Sequence, residues 1–452
     1  MTNGKKMTRR AFSKSTAAGV ATLSATSIAR AAGANERVQL GFIGIGNRGD
    51  QVLSAFRKHA DTAYTAMCDV YRPYLDRAAE LVGSKPATMK DYRRMLDRKD
   101  VDAVVIATPD HWHALQFIDA CEAGKDVYVE KPLSLTVVEG RKMVEAAERT
   151  KRITLLGVHF RSANQVVEAC EFIRSGGIGH VTMARCYHLA NDFPIGIGNP
   201  PDCDPPEGLD WDLWLGPAPK VNYNPNYCLY KFRWFYPYSG GQVTNFGTHW
   251  LDIIQRAIGK EYPKAVTAVG GNYALKDNRT IPDTCEVIWE YEGGTMACFM
   301  QVNANATGGN RTGTNIEIRG TKGTAYFGWS NVVIEAESPH KHAFPALSPL
   351  HRKENSQQRS AVVKAMENKE FKSAGDPTAA HARNFLDCVK SRKPTRCPVA
   401  LGHRSTSTLL IGNIALRTRK FLEWDGSAER FTNDEEANKL LHYGYRKPWK
   451  LA

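Results

Sequence analysis

Four short stretches of this chain hold residue types that do chemistry at the spacing chemistry needs. Gly44-Ile45-Gly46-Asn47-Arg48-Gly49 follows the apolar run Val38–Ile43 and opens a helical pattern. Gly44 permits a tight turn, Gly46 lets backbone N–H groups approach a pyrophosphate, and Gly49 lets the helix pack close to the strand. The N-terminus of that helix offers unpaired N–H groups to phosphate oxygens. Asp69 stands 20 residues beyond Gly49. A carboxylate there accepts hydrogen bonds from both ribose hydroxyls of an adenosine and repels a 2′-phosphate. Together these residues predict a dinucleotide site that favours NAD, with Arg48 and Arg72 close enough to leave NADP open.

Thr108-Pro109-Asp110-His111-Trp112-His113 follows a fourth apolar strand. In a parallel sheet, ligands sit beyond the carboxyl ends of the strands, so Thr108 and Pro109 are expected beside the middle of the cofactor. His113 is expected to cap or line the site. No third ligand stands at a workable spacing from the two histidines, so no metal is expected. Glu130-Lys131-Pro132 follows the fifth strand. Farther on, Ser239 to Asp252 contains Asn245 and His249, neighbours on one face if the segment from Gln242 is one helix. Histidine ionises near neutrality and suits proton exchange with a hydroxyl.

In their order, the glycine-rich turn, the Glu-Lys-Pro triplet and the segment leading to His249 resemble the Gfo/Idh/MocA oxidoreductases. The resemblance spans about residues 36 to 450. It implies hydride transfer between a nicotinamide cofactor and a carbinol carbon of a sugar or related polyol. It also implies roles. Lys131 lies near the reacting oxygen, Glu130 meets the nicotinamide ribose, Pro132 follows a cis or otherwise restricted peptide bond, and His249 is the acid/base. An acidic residue commonly stands four before that histidine; here the position is Asn245, expected to join Lys131 and His249 at the catalytic centre. Substrate-wall candidates come from the aromatic run Phe232, Arg233, Trp234, Tyr236 and Tyr238, together with Arg161, Tyr187, His188 and Asp192. Of these, Arg161, Tyr187, Trp234 and Tyr236 are expected to bind substrate with Asn245 and His249.

The elements that must position these residues follow from periodicity. Strands at 38–43, 62–68, 87–89, 101–107, 127–129 and 154–158 alternate with helices at 50–58, 113–123 and 137–150, which predicts a doubly wound parallel sheet of the Rossmann kind. From residue 180 onward, strands are expected near 181–187, 265–273, 285–291, 295–301, 315–320 and 324–327, joined by glycine-rich turns. That pattern predicts a C-terminal α+β domain with a large, open, mostly antiparallel sheet. Helices are expected at 381–390 and 405–421. The Pro-, Trp- and Tyr-rich stretch 191–238 reads as a long functional loop, and 338–375 as a surface excursion. The expected domains are 1–31, a twin-arginine export signal; 36–158, dinucleotide binding; and 159–452, substrate binding and oligomerisation.

The export reading rests on Thr8-Arg9-Arg10-Ala11-Phe12-Ser13-Lys14, a short weakly apolar run, and Ala29-Arg30-Ala31 as a cleavage site. It places the protein in the periplasm or another exported location. Of a net charge of +13, six cations fall in the first 31 residues. The remaining charge is too mild and scattered to mark a nucleic-acid partner, and no later stretch is long and apolar enough for a membrane span. The ten cysteines show no metal or disulfide spacing, although a bridge among Cys203, Cys228, Cys388 and Cys397 stays open. Nicotinamide cofactors are scarce outside the cytoplasm, so a tightly held NAD is expected. The implied partner is a homo-oligomer mate through the C-terminal sheet. Two other readings remain: an NAD-dependent glycoside hydrolase or lyase working through a transient keto-sugar, as in the exported α-N-acetylgalactosaminidases that this chain resembles in signal and turn, and a non-catalytic binder.

Overall fold

Two sheets organise the chain. The computed structural model describes residues 37–307, 313–338, 350 and 364–451. The expected signal at 1–31, and most of the expected excursion at 338–375, lie outside the described residues.

The first sheet has six parallel strands in the order β3-β2-β1-β4-β5-β6: β1 Val38–Ile43, β2 Thr62–Cys68, β3 Ala87–Met89, β4 Ala103–Ile106, β5 Asp126–Val129 and β6 Thr154–Leu156. β4 and β5 are buried along their whole length, as strands covered by helices on both faces must be. The covering helices are Asn47–Phe56, Arg72–Val82, Asp110–Glu122 and Val137–Thr150. The last of these starts at a capping box, in which Thr136 and Glu139 satisfy each other's backbone N–H groups.

The second sheet has ten strands in the order β14-β13-β12-β11-β7-β10-β9-β8-β15-β16. These are β7 Val181–Leu189, β8 Ala265–Gly271, β9 Thr284–Tyr291, β10 Thr295–Val302, β11 Ile316–Gly320, β12 Gly323–Phe327, β13 Asn331–Ala336, β14 Lys369–Lys372, β15 Leu422–Asp425 and β16 Arg430–Phe431. The pairing is antiparallel except between β7 and β10. The sheet is larger than the periodicity predicted: β14 to β16 are short strands toward its two edges, and β13, apolar at Val332 to Ile334, was not expected as a strand. β14 lies within the stretch expected to be an irregular excursion. One face of the sheet packs on helices Asn164–Arg174, Gly247–Ile258 and Val399–Thr418, burying Trp289, Tyr291 and Phe299.

The chain then returns to its beginning. Helix Pro377–Ser391 places Phe385 and Leu386 in the same core as Phe42 and Phe56, and Tyr445, Trp449 and Leu451 pack against that core. Ion pairs hold the helix there: Lys58 with Asp376, Asp61 with Arg383 and Lys390, and Asp126 with Arg392. A third, smaller core of Trp214, Tyr223, Phe232, Phe235 and Tyr238 lies inside the 191–238 loop, which is a packed unit rather than open coil. No helix among the described residues is long and apolar enough to cross a membrane. All ten cysteines are free, so no bridge joins Cys203, Cys228, Cys388 or Cys397.

Candidate active site

The glycine-rich turn is fixed by contact distance. Gly44 has φ +81°, and a Cβ on it would sit 2.8 Å from the Ala107 carbonyl carbon. A Cβ on Gly49 would meet the Gly44 carbonyl oxygen at 2.2 Å, so only glycine lets the helix start so near the strand. Gly49 works from behind the turn, while Gly44, Gly46, Asn47 and Arg48 line the cleft. Helix Asn47–Phe56 has no side-chain cap at Gly46. Its first N–H groups therefore face the cleft without a side-chain acceptor, ready for an anion. These are the features a dinucleotide pyrophosphate requires, and the residues present fit one.

Asp69 closes the adenosine end. It accepts from the Ile45 N–H at 2.7 Å and the Tyr71 N–H at 2.9 Å, and burial pushes its pKa up to about 6. A carboxylate offers about four acceptor positions, so capacity for ribose hydroxyls remains. The two arginines that left NADP open are engaged elsewhere. Arg48 Nε lies 2.9 Å from Glu130 Oε1, and Arg72 Nε lies 2.8 Å from Asp76. Both arginines thus hold carboxylate partners, and the Asp69 carboxylate itself disfavours a 2′-phosphate, which favours NAD; Lys90 is a further cation that lines the cleft.

Thr108 and Pro109 line the middle of the cleft. His113 does not. It is buried, with Nδ1 2.7 Å from the Pro132 carbonyl and Nε2 2.9 Å from the Thr108 carbonyl. The helix begins at Asp110, three residues before the pattern suggested, which turns His113 inward as a brace between the two cofactor loops.

Glu130 lines the far end, but its oxygens already hold donors: Arg48 and the Tyr128 hydroxyl on Oε1, and the Lys131 N–H on Oε2. The Lys131–Pro132 peptide is cis. Lys131 Nζ donates to Asn245 Oδ1 at 2.6 Å and to the Asn245 carbonyl at 3.2 Å. That carbonyl is free because the expected single helix is two, Gly241–Asn245 and Gly247–Ile258. The His249 N–H donates to Phe246 rather than to Asn245, so a backbone oxygen that a continuous helix would consume faces the ammonium. Asn245 Nδ2 donates to Gln242 Oε1, which fixes the orientation of the amide.

Burial, then the nearby Arg233 and Arg48, pull Lys131 down to about 8 against the pull of Glu130 and Asp110. His249 is held well below its ordinary range by burial and by Lys131, which favours its neutral form. Its ring packs 4.9 Å from that of His159, and its buried Nδ1 has no hydrogen-bond partner among the described residues. Burial and Arg48 lower His159 to about 3. Asp110, buried at the same end, accepts from Ser239 Oγ at 2.6 Å.

Of the residues expected to bind substrate, only Asn245 lines this cleft; His249 is buried beside it, its ring against His159 and Phe160, and four others lie farther off. Arg161 forms a bidentate ion pair with buried Asp252, three residues beyond His249, and anchors that helix. Tyr187 pairs across β7 with Met300 on the sheet face away from the helices, because side chains alternate along a strand. Trp234 stacks on Arg279 at 4.3 Å, and Tyr236 faces a second cavity beside Arg417. Sequence reading missed Tyr71, Tyr74, Trp214, Leu229, Tyr230 and Trp449, all of which line the cleft. Nothing local marks Trp449. Of the loop's aromatic run, Phe232 and Arg233 do line the cleft, as expected.

That loop spans the cleft. Leu209 bridges Tyr71, the Asp210 N–H donates to the Val70 carbonyl, and the Trp112 indole N–H donates to the Trp214 carbonyl. Cys228 lies within the field of Asp69, and Arg233 within that of Lys131. Residues 228–233 therefore run lengthwise from the adenosine end to the catalytic end. Among the described residues no three His, Cys, Asp or Glu converge in a way that could hold a metal ion.

Residues 38–158 match the model of an oxidoreductase family's NAD-binding Rossmann fold. Residues 193–349 and 357–451 match that family's C-terminal alpha/beta domain. Among curated proteins, glycosyl hydrolase family 109 protein 1 of Shewanella sp. (strain MR-4) is 33% identical over 162 residues, 34% of this chain and 35% of that protein. An alpha-N-acetylgalactosaminidase of Shewanella oneidensis matches to the same extent. The chain thus aligns with about a third of these relatives' length. Among solved structures, a putative NADPH-dependent oxidoreductase from Desulfitobacterium hafniense superposes with a TM-score of 0.63 at 16% identity, covering 86% of this chain and 97% of that one. Levoglucosan dehydrogenase, solved with NADH and levoglucosan, gives 0.61 at 18%, covering 86% and 99%. At these identities the likeness is one of fold.

Proposed function

Because this chain belongs to the Gfo/Idh/MocA family of NAD-binding oxidoreductases, we propose that it transfers a hydride between a nicotinamide cofactor and a carbinol carbon of a sugar or related polyol. The observation that carries the reading is Lys131, seated on Asn245 at the far end of the dinucleotide cleft. The bound dinucleotide supplies the hydride acceptor or donor. The protein's residues do the rest. The first turn of helix Asn47–Phe56 holds the pyrophosphate, and Asp69 the adenosine ribose. The Lys131 ammonium stabilises negative charge on the reacting oxygen. Neutral His249 takes the hydroxyl proton in oxidation and returns it in reduction.

The lengthwise loop and Trp449 support a cofactor that is retained through turnover. The first test uses purified protein without added cofactor. Absorbance in the reduced-nicotinamide band is followed while sugars are added, with Lys131→Ala as control. A rise with one sugar class, lost in the control, is expected. No change with any sugar, and no dinucleotide released on denaturation, would refute the retained-cofactor model.

The named activity of the Shewanella relatives favours a second reading, in which transient oxidation leads to loss of a glycoside and net hydrolysis. Release of nitrophenol from aryl glycosides without added NAD would establish it. Export by the twin-arginine route is proposed from Thr8–Lys14 and the acid-free first 31 residues. Pairing of two copies through the outer sheet face is proposed from Val269 on β8, 68% exposed, and the exposed Met296 on β10, which share that face, and sedimentation would test it.

A further inference from the structure

The catalytic end of the cleft carries an unbalanced charge. Arg48 is matched by Glu130. Lys131 rests on the two neutral oxygens of Asn245. Arg233 lines the same cleft with its guanidinium carbon 4.7 Å from the Phe232 ring centre and 4.9 Å from that of Tyr230. Its Nη1 donates to the Tyr230 carbonyl at 3.0 Å, and it forms no ion pair among the described residues. Two aromatic faces hold this partly exposed cation in place without neutralising it. Arg233 and Lys131 repel one another. Asp110 lies in the field of both, but its carboxylate is buried and engaged by Ser239.

Binding the oxidised cofactor sharpens the imbalance, since its nicotinamide ring is itself a cation. Its pyrophosphate belongs at the glycine turn, whereas the lengthwise course of residues 228–233 puts Arg233 at the reacting end. A neutral sugar would leave these cations facing one carboxylate. A guanidinium fork matches a carboxylate bidentately, and charge-assisted hydrogen bonds of that kind are the strong ones.

We propose that the substrate is a sugar bearing a carboxylate, a uronic or aldonic acid, and that Arg233 is the residue that reads that group. The proposal rests on the redox reading of the cleft, and names its substrate class. The other anion within the guanidinium's reach is the cofactor's phosphate, and the experiment separates the two.

The test uses the full chain with its bound dinucleotide. Glucuronate and galacturonate are compared with glucose and galactose, by reduction of the bound cofactor and by calorimetric binding. The uronates should exceed their neutral partners by about tenfold or more in kcat/KM, the scale of one charge-assisted hydrogen bond. Arg233→Gln should bring that ratio close to one through KM, with the dinucleotide released on denaturation unchanged. Arg233→Lys should restore part of it. Equal turnover of neutral and acidic sugars, or no calorimetric binding of uronates, would overturn the proposal. So would an Arg233→Gln protein that loses its dinucleotide but keeps the ratio, which would assign Arg233 to the cofactor's phosphates. If no sugar changes the absorbance while uronates bind in an Arg233-dependent way, the redox reading fails and the carboxylate assignment stands.

Discussion

Position 245 shows how one side chain sets another's chemistry. Two neutral oxygens hold the Lys131 ammonium, and burial beside two arginines brings its pKa to about 8. Asn245→Asp would place a carboxylate against it and favour the charged form. The limb of the pH–rate profile belonging to Lys131 should move upward by about one unit or more, and single-turnover rates across pH would show it; an unmoved limb would remove Lys131 from the proton inventory. Lys131→Ala should cost about 10²–10³ in the rate of the redox step, the scale of losing one donor at a developing oxyanion, with dinucleotide content unchanged. The cleft positions of the glycine turn, Asp69, Lys131 and Asn245 were legible because each follows a recognisable strand or helix start; His249 was read onto a real helix but does not line the cleft. Arg161, Tyr187, Trp234 and Tyr236 were misplaced because residue type says what a side chain can bind, not which way it faces. The break after Asn245 was also illegible, because Phe246 keeps helical dihedrals and breaks no local rule. Its effect is that half of the lysine's seat is backbone, which no substitution at 245 removes.

At the level of elements, the ion pair of Arg161 with Asp252 fixes the helix that carries His249. Asp252 is almost fully enclosed, so Arg161→Ala strands a buried charge. A loss of about 3 kcal/mol or more is expected in denaturant unfolding, with a fall in rate from a mobile His249; a loss under about 1 kcal/mol would mean that the pair is incidental. The start of helix Val137–Thr150 gives a pH signature. Burial raises Glu139, which also accepts from Tyr445, from an ordinary 4.5 to about 7. The folded state then keeps a proton that the unfolded chain releases. The stability from this group is complete below pH 4.5 and is lost as pH rises through 7. Glu139→Gln should flatten the difference in unfolding midpoint across that window, and an unchanged slope would contradict the assignment. The central parallel strands β4 and β5 were legible because they are buried along their whole length. The short strands β14 to β16 were not, since strands of two to four residues look like loops; β13 was missed although Val332 to Ile334 are apolar.

At the level of the whole molecule, closure over the cleft depends on parts far apart in sequence. Trp449 lines the cleft, packs edge-on against Trp112 at 4.8 Å and carries Arg93 over its ring. Trp449→Ala should open that wall and speed the loss of bound dinucleotide during dialysis, while leaving the chemistry at Lys131 intact; unchanged retention would shift the role to the 228–233 segment. The two-part architecture was legible in the switch from alternating strands and helices to hairpin-linked strands. The return of the C-terminal segments was not, since nothing local says which core an amphipathic helix will join. That return has a consequence for biosynthesis. Phe385, Leu386 and the Tyr445–Leu451 segment complete the core begun by Phe42 and Phe56, so the nucleotide-binding half cannot finish folding as it leaves the ribosome. It must wait, partly assembled, until the rest of the chain has been translated.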